Sequence, residues 1–163
     1  MNILHTIEVP VAIGRVTEVL CSEAFNVALE MGRSGVVSTK FEVIESDEQR
    51  QVFLLRSVEY ARNKLGGIDR SSTLGSTNRT VFDRRSGKLN WVYASDSGPA
   101  RIKLSGEYRL SASDGGTRVD HELSIEVDVP LFGGQIAKIV AKECKADFPR
   151  FDECLRKHLA EWR

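Results

Sequence analysis

Three histidines, three cysteines and a few polar residues set among apolar ones are the groups in this 163-residue chain able to do chemistry. His121 stands out. It shares a strand phase with Val119, Leu123 and Ile125, which predicts that it points inward. A buried imidazole needs a partner for its N–H. The plainer reading is a core histidine satisfied by a neighbour; the sharper one is a ligand contact, with general acid/base work as its extreme form. Tyr108 has the same inward phase and reads as core filler with a hydroxyl at the rim, or as a ligand contact. Trp91 and Tyr93 share one face of their strand and either line a cavity or pack beneath a helix. Arg56 is in phase with Val52, Leu54, Val58 and Tyr60, but Phe53 and Leu55 are apolar too, so both phases stay open. A solvated Arg56 is the plainer reading; an inward one pairs a ligand carboxylate through both nitrogens.

Other groups point away from common chemistries. His5, His121 and His158 have no metal-ligand spacing. Cys21, Cys144 and Cys154 are an odd number without a CxxC pair, which predicts plain thiols in a reducing cytoplasm rather than a disulfide framework or zinc site. Gly66-Gly67 lacks the GxxxxGK[ST] phosphate-loop pattern and reads as a connecting loop at a cavity mouth. Ser71-Ser72-Thr73 lacks the glycine pattern of a nucleophile elbow. No metal or cofactor is expected.

Periodicity shows which elements must position these residues. Asn2–Val9 reads as a strand closed by Pro10. Ala12–Leu20 has helical spacing at Ile13, Val16, Val19 and Leu20, and Ser22 caps a second short helix carrying Phe25, Ala28 and Leu29. Strands follow at Val36–Ile44 and Gln51–Tyr60, then a polar loop over Asn63–Gly75. A hairpin joins Thr77–Phe82 to Lys88–Ala94, and Ser95–Pro99 turns. Next comes the clearest pattern in the chain. Ile102, Leu104, Gly106, Tyr108 and Leu110 alternate with polar residues, Asp114-Gly115-Gly116 turns, and Val119, His121, Leu123, Ile125 and Val127 alternate again. Alternation of this kind predicts one face on a core or cavity and one in water. From Phe132 to Trp162 the period becomes three to four: Phe132, Ile136, Ile139, Val140, Cys144, Phe148, Phe151, Leu155, Leu159 and Trp162 mark one amphipathic helix, which Pro149 is expected to kink or split.

Composition narrows the partners. Lys+Arg and Asp+Glu both number 23, so there is no basic excess for neutralising phosphates, and nucleic acid is not expected as a partner. No apolar run approaches the ~20 residues that span a bilayer. The first residues lack the basic and apolar regions of a secretory signal, which predicts a cytoplasmic protein. The closing helix mixes Lys138, Lys142, Glu143, Lys145, Asp147, Arg150, Asp152 and Glu153, a solvated outer face rather than a membrane-lying one, so stable membrane insertion is not expected.

The order strand, two short helices, six strands, long helix predicts one α+β domain over 1–163. In it a curved seven-stranded antiparallel sheet curls around the last helix, which covers its apolar face. Ile7-Glu8-Val9-Pro10 leading into the first helix, the long meander, and Val129-Pro130-Leu131-Phe132-Gly133-Gly134 opening the last one resemble the START-like (SRPBCC) helix-grip superfamily. That superfamily includes the birch-pollen allergens, polyketide cyclases and aromatases, and coenzyme Q-binding proteins. The Pro-apolar-Gly-Gly step is most similar to a bacterial branch of it. The resemblance implies a cavity between sheet and C-terminal helix that takes a small hydrophobic or amphipathic ligand such as a lipid, isoprenoid or polyketide. His121, Tyr108, Arg56, Leu104, Leu123, Ile125, Trp91, Ile136 and Val140 are then the candidate ligand contacts. Two alternatives remain. One is a cyclase- or aromatase-like enzyme, for which His121 is the one plausible pocket acid/base. The other is an interaction protein whose cavity has collapsed.

Overall fold

A computed structural model describes residues 1–63, 67–96 and 101–161. Gly66 of the expected mouth loop, the end of the Ser95–Pro99 turn and Trp162 lie outside them. The elements run β1 (Asn2–Val9), α1 (Ile13–Leu20), α2 (Glu23–Met31), β2 (Val36–Ser46), β3 (Arg50–Arg62), β4 (Ile68–Asp83), β5 (Lys88–Ser95), β6 (Ile102–Ser113), β7 (Gly116–Val127) and α3 (Gly133–Glu161). The seven strands form one antiparallel sheet in the order β1-β7-β6-β5-β4-β3-β2. The expected α+β helix-grip arrangement is thus the one observed.

Much of the segment expected as a loop over Asn63–Gly75 is strand: β4 begins at Ile68 and pairs with β3 across a bulge at Tyr60/Ala61. Ser71–Thr77 has Leu74 as its one large apolar residue, so hydrophobic alternation is silent there, yet the β-branched threonines suit extended backbone.

Register explains how side chains converge. Phe82, Leu89, Tyr108, His121 and His5 form one cross-strand row. Phe53, Thr80, Trp91, Gly106, Leu123 and Ile3 form the next, and Leu55, Asn78, Tyr93, Leu104 and Ile125 a third. Successive residues alternate faces, so these rows lie on the concave side. Two apolar clusters fill that side. At one end, Val16, Val19, Leu20 and Phe25 of the short helices meet Phe151, Leu155 and Leu159 of α3 over Ile7, Val9, Phe82, Leu89 and Val119. At the other, Ala137 and Ala141 pack on Ile3, Leu123 and Ile125, with Trp91, Leu104, Val140, Cys144 and Phe148 at the margin.

Pro149 does not split α3, which runs through it as one helix. Buried residues anchor the helix on both sides of the proline, Ala137 and Ala141 before it and Phe151, Leu155 and Leu159 after. Their burial outweighs the ~3 kcal/mol that an interior proline costs. Phe132 and Ile139, read as part of the apolar stripe, are exposed. Ile139 stands two residues from buried Ala137, about 200° around the helix, so it faces away from the sheet. None of the described helices is long and apolar enough to cross a membrane.

Candidate functional site

The short helices do more than close an end. Ser22 caps α2 by accepting from the Phe25 amide at 3.3 Å, and Glu23 places a negative charge in its first turn. The Asn26 amide group donates twice, to the Leu20 carbonyl at 2.9 Å and the Ser22 carbonyl at 2.7 Å, fixing the corner between α1 and α2. At the far end of α2, Arg150 of α3 donates to the Leu29 carbonyl. Arg33 bridges Glu30, at 2.5 Å, to Glu59 of β3, at 2.8 Å, and the Tyr93 hydroxyl donates to Glu59 at 3.4 Å. So α2 is clamped over the sheet.

Beneath it lies a cavity of about 110 Å³. Leu20, Phe25, Asn26, Leu29 and Glu30 line it from the helices, and Phe53, Leu55, Asn78, Thr80, Leu89, Trp91 and Tyr108 from the sheet. The hollow therefore opens under α2, whereas the space under α3 is packed by the clusters described above. Asn78 is one of the lining residues, and its Oδ1 is buried without a hydrogen-bond partner among the described residues. Leaving such an acceptor unpaired costs ~1–3 kcal/mol.

Of the residues expected to contact a ligand, Trp91 and Tyr108 line this cavity. His121 stands directly behind them. Its ring stacks on Tyr108 at 4.2 Å, Trp91 Nε1 donates to its Nε2 at 3.2 Å, and Phe148 and Phe151 of α3 lie 6.2 and 6.0 Å away. Because Nε2 accepts, the neutral ring carries its proton on Nδ1, which is buried without a partner among the described residues. Burial, with a smaller contribution from His5, pushes the imidazole down to about 4. Burial likewise pushes the Tyr108 phenol up. The group at hand is thus a neutral imidazole with its lone pair engaged, one layer behind the cavity wall. Across the strand pair, His5 stacks on Phe148 at 4.3 Å and holds Asp152 of α3 at 2.7 Å, pinning β1 to the last helix.

Leu104, Leu123, Ile125 and Val140 belong to the cluster at the other end of the sheet and helix, Ile136 lies in the first turn of α3, and none of the five lines the cavity. Arg56 is on the outer face, its side chain 60% exposed and 3.6 Å from Glu42. Since Phe53 and Leu55 point into the cavity, strand alternation sends Arg56 outward, and it does not join the site. Sequence reasoning missed Asn26, Asn78 and Thr80. In β4 the inward residues Ser76, Asn78 and Thr80 are polar, so no hydrophobic alternation marks their face.

Gly106 makes room for this arrangement. A Cβ there would fall 2.5 Å from Trp91 Cε2 and Nε1, so the indole lies flat across a strand position that must be bare. Gly106→Ala is expected to displace Trp91, break its bond to His121 and cost ~1–3 kcal/mol. Urea denaturation read by tryptophan fluorescence checks this; an unchanged midpoint and emission maximum would refute it.

The fold is that of the START-like helix-grip superfamily. Similar solved structures include a protein from Thermus thermophilus (TM-score 0.65, 18% identity, covering 99% of this chain and 98% of that one). The ZhuI aromatase/cyclase from Streptomyces sp. R1128 follows (0.59, 15%, 98% and 93%), as does a START superfamily protein from Mycobacterium smegmatis (0.58, 12%, 99% and 99%). Among curated proteins none matches the sequence. The family profile described as Protein of unknown function (DUF2505) matches residues 4–159, and the chain belongs to that family.

Proposed function

We propose that this protein binds a small amphipathic molecule in the cavity beneath α2, with the apolar body against Phe25, Phe53, Leu55 and Trp91 and a hydrogen-bond donor on Asn78. The observation that carries this reading is the unpartnered Asn78 Oδ1 on a residue that lines a hollow of mixed apolar and polar walls. Ligand sites combine apolar walls with placed polar groups, and this hollow is rich in the latter. The cavity's 110 Å³ is below the usual ~300–1,000 Å³, which favours a compact ligand over a lipid or isoprenoid chain. The fold shared with an aromatase/cyclase and a START superfamily protein supports a site on the concave face. Proton chemistry at His121 has less behind it, since the imidazole does not line the hollow.

The test combines a thermal-shift screen of small aryl and alkyl compounds with Asn78→Leu. A ligand at a hundred times its Kd stabilises the wild type by ~2.7 kcal/mol. Asn78→Leu is expected to be more stable than wild type without ligand, by ~1–2 kcal/mol, because the orphan is gone, and to lose at least about tenfold in affinity. A variant that binds as well as the wild type would sink the role of Asn78. A screen in which nothing shifts the wild type would favour an interaction protein with a collapsed cavity.

A further inference from the structure

The polar groups of the cavity are unevenly matched. Both N–H groups of Asn26 are spent on the Leu20 and Ser22 carbonyls, so what its side chain has left to offer is the Oδ1 acceptor. Asn78 buries an unpartnered acceptor. Arg33 engages Oε1 of Glu30, leaving Oε2 without a hydrogen bond among the described residues. On the donor side, the Trp91 indole N–H is engaged by His121. The Thr80 and Tyr108 hydroxyls serve either role. No lysine or arginine lines the cavity among the described residues.

Charge leans the same way. Glu30 and Glu59 share the Arg33 guanidinium, two carboxylates to one cation, and both are largely shielded from water with 14% and 19% of their side chains exposed. Arg150, which donates to the Leu29 carbonyl, is matched by Asp147 at 3.5 Å, so these groups together leave one net negative charge beside the hollow. Phe25, Phe53, Trp91 and Tyr108 supply aromatic walls, whose faces attract cations. A carboxylate ligand would meet acceptors and like charge; an ammonium group would meet partners.

Resting on the reading of this cavity as a ligand site, we infer that the ligand is a compact amphipathic amine, its ammonium group held by Glu30, Asn26 and Asn78. The probes are phenethylamine, 2-phenylethanol and 3-phenylpropionate, which present similar aryl bodies with a cationic, neutral or anionic end. Binding is followed at neutral pH by calorimetry and by tryptophan fluorescence. Phenethylamine is expected to bind at least about tenfold more tightly than the alcohol, the acid more weakly still, and the amine's advantage is expected to shrink as salt rises. Glu30→Gln is expected to bring amine and alcohol to about equal affinity. Because that change also removes an ion pair with Arg33, Asn78→Asp serves as the second variant. It leaves Arg33 untouched and is expected to tighten the amine and weaken the acid. Equal or tighter binding of the alcohol or the acid by the wild type overturns the amine assignment and leaves the cavity reading intact. If none of the three binds, both fall.

Discussion

Lowering the pH from 7 to 4 is expected to remove about 3 kcal/mol of folding stability through His121 alone. The folded protein holds this imidazole at about 4, below its ordinary 6.5, so between those values the unfolded chain binds the extra proton and the folded chain does not. Stability rises with pH wherever the unfolded state carries more protons. The full stability is therefore present above pH 6.5, is lost as the pH falls toward 4, and the loss levels off below it. Geometry explains why the folded state refuses the proton. Nε2 already accepts from Trp91, so a proton placed there would set two N–H donors against each other, among Tyr108, Phe148 and Phe151. The measurement is urea unfolding at pH 7 and at pH 4 for the wild type and His121→Phe. Carboxylates titrate in both proteins, so the difference between the two pH slopes isolates His121. Parallel slopes would show that the imidazole is not held neutral by its surroundings.

His121 also shows what in this molecule could be read from sequence. Its inward phase, with those of Tyr108, Leu104, Leu123 and Ile125, follows from uninterrupted alternation on β6 and β7, and the register puts all five on the concave side. The long helix and the sheet's connectivity follow from the change of period after Pro130. Arg56 marks where this reasoning weakens. On β3, Val52 and Leu54 are buried on the outer face while Phe53 and Leu55 are buried on the inner one, so hydrophobicity carries no phase information there. The position of the cavity was harder still to read. It depends on how α2 is clamped by Asn26, Arg33 and Arg150, long-range contacts that leave no periodic trace. Asn78 escapes notice because it looks like one polar residue among the Ser and Thr of β4, and its meaning comes from the missing partner. The packing under α3 has a similar origin. Phe148 and Phe151 read as helix core, but only their stacking on His5 and Tyr108 shows that the space there is filled.

Phe25 joins stability and the hollow in one side chain, and its removal is expected to have the larger effect. It is 2% exposed, meets Phe151 edge-on at 5.9 Å and His158 at 5.8 Å, and forms part of the cavity wall. Phe25→Ala is expected to cost ~3–5 kcal/mol, the transfer energy of the lost ring plus the void it leaves, since α1, α2 and α3 are tied together around it and cannot collapse freely. Phe25→Leu fills most of the space and is expected to cost roughly half as much. The void produced by alanine adjoins the existing hollow, so the variant is expected to bind a flat apolar molecule such as indole more tightly than the wild type does. Binding returns stability as RT ln(1 + [L]/Kd), about 2.7 kcal/mol at a hundred times Kd. Thermal unfolding of wild type and both variants, with and without indole, separates the terms. A large loss rescued by indole much more strongly in the alanine variant than in the other two proteins means that α2 is a rigid roof and that Phe25 sets the size of what fits beneath it. A large loss with no rescue means that the roof falls in when its main support goes, so that the cavity exists only while Phe25 props α2 against α3.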